Sequence, residues 1–213
     1  RPGENLAGAT AVRLDGGAVS SPLNKSNGRR CYTRGTADFE AARTNGLIDP
    51  LPPLVPATRA AIAAAESEIG HPLPSLLRRL YLEVGNGGFG PGGGVLGVAD
   101  GYTDDLKQNA VEAHSYFRSS RLEPPLLVPL CHWGCGIYSL VEVAPNAGWM
   151  WGFDPNGGQL EHALYRHELD LARWLERWLD GDLYQPAVIR DPESGEWRGV
   201  TDEESVAWAA EYG

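Results

Sequence analysis

Between Ala57 and Gly85 the apolar positions recur at helical spacing, broken once. "ATRAAIAAAESEIG" sets Ile62, Ala65 and Ile69 on one face and ends at Gly70, which predicts a first helix. "HPLP" interrupts the chain, and "SLLRRLYLEVG" resumes the period with Leu76, Leu77, Leu80, Tyr81 and Val84 on the inner side of a second helix. Upstream, "TADFEAARTNG" predicts a short helix between Thr36 and Gly46, joined to the rest by the proline-stiffened "DPLPPLVP". Downstream, "GVLGV" predicts a short strand and "TDDLKQNAVEAHSYFRSS" a helix capped by Thr103. "LLVPLC", "GIYSLVEV" and "GWMWGFD" follow as three strands of an antiparallel meander, with Trp149, Trp151 and Phe153 sharing a face. "ELDLARWLERWLDG" predicts a long helix with Leu171, Trp174, Leu175, Trp178 and Leu179 inward. A hairpin around "PESG" and a closing helix over "TDEESVAWAAEY" complete an α+β domain assigned to residues 36–213.

Composition narrows the class. A chain of 213 residues, 42% apolar and 22% charged, suits one soluble core. Three cysteines (Cys31, Cys131, Cys135) cannot form a disulfide framework, which points to a reducing, cytoplasmic compartment. No apolar run is long enough for a bilayer span. Residues 1–35 carry six basic and two acidic groups, lack periodicity and are expected to form a flexible leader or processing remnant. The remaining 12 bases and 26 acids give the body a charge of −14, which disfavours nucleic acid and anionic membranes as partners.

Seven of the ten residues from Gly85 to Gly94 are glycine, and G-x-G-x-x-G occurs twice, from Gly85 and from Gly88. A dinucleotide fingerprint follows a strand and opens a helix, whereas this loop follows a helix and enters a strand. No basic residue lies between Arg79 and Lys107, so nothing local neutralises a phosphate. Gly85 is expected to end its helix at positive φ, with Asn86 tying down the turn. No cofactor is expected.

"PLCHWGC" places Cys131, His132 and Cys135 close together, but a structural zinc site wants four ligands and no second pair exists. The expected reading is two buried thiols in a strand and hairpin, with no metal. His162 and His167 are expected at the surface, and Asp154 as a turn residue before Pro155. Asp104/Asp105 and Glu203/Glu204 sit at predicted helix starts, where the dipole accounts for them. No nucleophile elbow or H-E-x-x-H is present, and no catalytic residue is assigned.

The stretch "IAAAESEIGHPLPSLLRRLYLEVGNGGFGPGGGVLGV" resembles the opening signature of the SUKH superfamily, which is named partly for a fungal cell-wall assembly regulator and includes many bacterial immunity proteins. The resemblance rests on Gly70, Leu73, Pro74, Tyr81, Gly85, Asn86, Gly87, Gly88, Phe89 and Gly90, and extends through "LVPLCHWGCGIYSLVEV" and "GWMWGFDP" over roughly residues 50 to 180. It implies helices on a mixed, largely antiparallel sheet, and a non-catalytic module that binds a cognate toxin domain or, alternatively, endogenous partners as a scaffold. The chain departs from the pattern at the end of the "YSL" strand, where many relatives carry an acidic residue and this chain has Val141, Glu142 and Val143, with Glu142 the candidate. The acidic body suits a basic, nuclease-like toxin, with Asp104, Asp105, Glu203 and Glu204 as first candidates for the interface and Trp133 or Phe89 as an aromatic alternative.

Overall fold

A computed structural model describes residues 54–120, 126–144, 146–157, 160–201 and 203–207. The expected leader, the helix over Thr36–Gly46 and Cys31 lie outside these residues, as does the end of the closing helix.

Helix α1 spans Arg59–Ile69. Thr58 caps it by accepting from the Ala61 N–H, and Gly70 ends it at φ +85°. Ile62, Ala65 and Ile69 are its buried face, as the spacing predicts. The "HPLP" break is held by a contact that the sequence pattern does not announce. The Glu66 carboxylate accepts from the Leu73 N–H at 2.8 Å and pairs with Arg78 at 3.3 Å. Helix α2, Ser75–Glu83, then buries Leu77 and Tyr81 one turn apart. Leu76 and Leu80 pack at the margin of the core, while Val84, expected inside, is exposed.

The glycine segment does not turn where expected. Gly85 is not among the residues at positive φ, and α2 ends through Val84 in right-handed geometry. The left-handed turns fall at Gly87 and Gly88, φ +81° and +78°. A Cβ at Gly87 would lie 2.5 Å from both the Val95 carbonyl oxygen and the Gly97 nitrogen, so only glycine fits. Asn86 is the clamp that the sequence predicts: its side chain accepts from the Val98 N–H at 2.8 Å and donates to the Ala99 carbonyl at 3.0 Å.

The predicted "GVLGV" strand reduces to one bridge, Val95 opposite Cys131, with a further bond from the Leu96 N–H to the Leu130 carbonyl. The Gly93 N–H donates to the His132 carbonyl. The glycine segment thereby covers the outer edge of strand β1, Leu127–Gly134, with backbone in place of a full strand. Strands β2 (Ile137–Glu142), β3 (Trp149–Phe153) and β4 (Leu164–Asp170) continue the sheet in the order β1-β2-β3-β4, and all three pairings are antiparallel.

Helix α3 covers Ala110–Ser120, not the stretch from Thr103. Its cap is Asn109, whose side chain accepts from the Val111 and Glu112 N–H groups while Glu112 reaches back to the Asn109 N–H. Glu168–Asp170, placed by the sequence pattern at the start of the following helix, instead end strand β4, which the pattern does not announce. Helix α4 is confined to Leu171–Asp180, with Asp170 as its cap and Gly181 as its stop. Its inward face is Leu171 and Trp174, with Leu175 and Trp178 half-buried and Leu179 exposed. The hairpin around "PESG" forms from β5, Val188–Arg190, and β6, Trp197–Gly199, and 203–207 is helical.

The core lies on both faces of the sheet. On one, Val128, Leu130, Val141 and Met150 meet α1, α2, Leu96 and Trp174 of α4. On the other, Phe117 of α3 packs edge-on against Tyr138 and Phe153 at centroid distances of 5.1 and 5.2 Å. The result is an α+β domain.

Candidate functional site

The segment between the glycine loop and α3 carries the chemistry nearest the surface. It contains Asp100 and Lys107, two of only three non-glycine residues at positive φ among the described residues. The third is Cys135, in the β1–β2 turn; it is exposed, so the expectation of two buried thiols holds for Cys131 alone. Two anchors hold the segment. Upstream, the Asn86 carbonyl accepts from the Tyr102 N–H at 2.8 Å. Downstream, Asp104 closes a turn of its own: the Lys107 N–H donates to its carbonyl, and the Gln108 N–H to its Oδ1 at 2.9 Å.

Asp104 and Asp105 therefore do not begin a helix; they precede α3 by a turn and face β1. Asp104 is buried, and its Oδ2 accepts from the Tyr138 hydroxyl at 3.2 Å. Burial and this nearby carboxylate push the Tyr138 phenol well above its ordinary pKa. Asp105 has a side chain 71% exposed, yet its Oδ1 lies 2.7 Å from His132 Nδ1. His132 also stands 4.0 Å from Asp104 Oδ2 and stacks on Tyr138 at 4.5 Å between ring centroids. Its Nε2 is buried without a hydrogen-bond partner. Asp104, Asp105 and His132 can thus offer three ligand atoms, all within 4.8 Å of one another. The sequence placed His132 with its two neighbouring cysteines; the fold turns it toward carboxylates 27 and 28 positions upstream. No spacing signal predicts that contact.

The remaining candidates separate. Phe89 and Trp133 are core residues, and the Trp133 Nε1–H donates to Ser139 Oγ at 2.9 Å, so neither ring forms an exposed patch. Glu203 is exposed. Glu204 is committed internally: Arg198 grips it with two bonds of 2.6 and 2.7 Å, and the Thr201 N–H donates to it at 2.8 Å. These donors bring its carboxyl down to about 2. Arg198 also holds Asp191 at 2.8 Å, so the acidic end of the chain is partly a closed ion-pair network. Glu142 is buried and accepts from the Asn146 N–H and from the Trp151 indole at 3.2 Å each, organising the β2–β3 turn.

Two histidines expected at the surface divide: His162 is exposed, but His167 lies half-buried in β4 against Tyr165. Asp154 is a turn residue, as expected, accepting from the Asn156 N–H, and it also holds the Val188 N–H of β5 at 3.2 Å. Among the described residues no helix is long and apolar enough to cross a membrane.

Three helices before a four-stranded antiparallel meander, with a glycine-rich segment covering the sheet edge, define an α+β domain. The profile of the SMI1 / KNR4 family (SUKH-1) matches residues 56–180, more than half of the sequence, and the chain belongs to that family. The match ends at α4, so the β5–β6 hairpin and the Arg198 network lie outside the matched residues. No match is found among curated proteins or among solved structures.

Proposed function

We propose that this chain is a cytoplasmic, non-catalytic immunity protein that binds and neutralises a cognate toxin domain, a basic nuclease-like one. Family membership carries the reading, because the SUKH families include immunity proteins as well as regulators of the KNR4 kind. The charge of −14 on residues 36–213 supports a basic partner, whose approach it would accelerate. Within the acidic surface, Asp105 and Glu203 are the candidates with exposed carboxylates, and the exposed Leu106 beside Asp105 offers an apolar contact at the same place. A scaffold that binds endogenous partners is the alternative, since the family's regulators belong to that class.

The test is to read the genes beside this one for a secreted protein with a toxin-like C-terminal domain, and to co-express that domain with this chain. Growth rescue and a stable one-to-one complex are expected. A toxin that kills equally with and without this chain, and does not bind it, would overturn the immunity reading in favour of the scaffold.

A further inference from the structure

We propose that Asp104, Asp105 and His132 form a binding site for a borderline first-row divalent cation, for which zinc is the matching probe. The three groups come from two elements that the fold brings together, and one carboxylate oxygen from each aspartate and one imidazole nitrogen lie within 4.8 Å of one another. Ligands bound tetrahedrally to zinc at about 2.1 Å stand roughly 3.4 Å apart. His132 Nδ1 is now 2.7 Å from Asp105 Oδ1 and 4.0 Å from Asp104 Oδ2. One separation must open and the other close, each by roughly 0.6–0.7 Å, within the reach of small side-chain rotations.

Two of the ligands are already held. Asp104 is fixed through Oδ1 by the Gln108 N–H, and the His132 ring is fixed by its stack on Tyr138. Asp105 stands on the solvent side and gives an ion its way in. Charge supplies a second, separate reason. Asp104 is a buried carboxylate, and no lysine or arginine among the described residues pairs with it or with Asp105. Buried charges are normally paired or coordinate metals. Among the described residues His132 is the one basic side chain that meets the two carboxylates, and a dication would balance both.

The donor set selects the class of ion. One imidazole and two carboxylates suit zinc or its neighbours better than calcium, which wants six to eight oxygens. The thiols stand outside the set: Cys131 Sγ donates to the Pro91 carbonyl and Cys135 is exposed in the turn. Coordination through Nδ1 moves the imidazole proton to Nε2, where the structure offers no acceptor. With three protein ligands and no outer contact, which alone costs about 10–100-fold, the expected affinity is of about micromolar order, well below that of four-ligand structural sites. The ion would fasten residues 104 and 105 to β1 and stiffen the segment that carries Leu106.

Titration of the tag-free full chain with zinc, followed by calorimetry and thermal melting, tests the site. One ion per chain and a raised Tm are expected for the native protein. Asp105→Asn, at an exposed position, should fold normally and weaken zinc binding about tenfold or more. Cys135→Ser should bind as the native chain does, and zinc should shift the His132 side-chain nitrogen resonances. Absence of stoichiometric binding at 100-fold the micromolar range, undiminished binding by Asp105→Asn, or loss of binding in Cys135→Ser would each overturn the assignment.

Discussion

Replacing Asn86 with alanine removes one acceptor and one donor from the inside of a turn whose backbone stays in place. The Val98 N–H, 2.8 Å from Asn86 Oδ1, belongs to a residue with 1% of its surface exposed, and it would be left without a partner. Leaving such a group unsatisfied costs about 1–3 kcal/mol. The Ala99 carbonyl, 3.0 Å from Asn86 Nδ2, lies at an exposed residue where water can replace the amide, so its loss costs about 0.5 kcal/mol. The packing of Asn86 against Gly101 goes as well, because a Cβ at Gly101 would stand 2.5 Å from the Asn86 side chain. The sum is about 2–3 kcal/mol, a fall in Tm of about 5–10 °C for a chain of this size. Urea unfolding should show the midpoint falling with an unchanged slope, and hydrogen exchange should show the Val98 amide losing protection. Asn86→Asp keeps the acceptor for Val98 and loses only the donor to Ala99, so it should cost clearly less than alanine. A loss under about 0.5 kcal/mol for Asn86→Ala, or equal losses for both variants, would refute the view that a buried N–H gives this residue its importance.

The other expectations are simpler. Gly87→Ala should destabilise by more than about 3 kcal/mol and Gly70→Ala by about 1 kcal/mol, since both have positive φ but only Gly87 faces backbone where a Cβ would stand; equal losses in urea would show that φ alone matters. ATP or NAD should leave Tm unchanged, and a saturable rise with either would restore a nucleotide role for the glycine loop. The Glu204 carboxyl is lowered by folding, so its contribution is present above about pH 4.5 and disappears as pH falls through about 2; the stability gap between the native chain and Glu204→Gln should close over that window, and a gap that widens with acid would contradict the pairing with Arg198. Paired reversal of Asp105 and Glu203 to lysine should slow association with the proposed basic toxin domain and flatten its salt dependence while circular dichroism shows the fold retained; unchanged rates at two ionic strengths would place the interface elsewhere.

What the sequence reveals about this fold follows the range of the forces involved. Helices α1 and α2 are legible because Gly70 and the apolar positions act within a turn or two of chain. The start of α3 was misplaced because Thr103 and Asp104 look like a cap as much as Asn109 does. What decides between them is the Asp104 side chain, which bonds to Gln108 and Tyr138 and so closes a turn before the helix can begin. Strand β4 has the same origin. "LYRHELD" runs into an amphipathic helix without a break in pattern, and only pairing with β3, where Gly152 leaves room for the Tyr165 ring, makes it extended.

The candidate site was least legible because its members answer to partners far away in sequence. His132 stands beside two cysteines in the chain, and a local reading groups it with them. In a strand, though, neighbouring side chains point to opposite faces, and the bulge between Pro129 and Cys131 changes which face each residue meets. Cys131 turns into the core, Cys135 caps the hairpin in the open, and His132 meets Asp105. The same logic divides the acidic residues that a charge count treats alike. Asp104, Glu142 and Glu204 each spend their carboxylates on donors within the domain, whereas Glu203 and the outer face of Asp105 remain turned to solvent. A partner drawn by the overall charge of the body would therefore find only part of that charge free to contact. In the proposed complex, recognition by charge would rest on the exposed carboxylates, and on whatever fixes the segment that presents one of them.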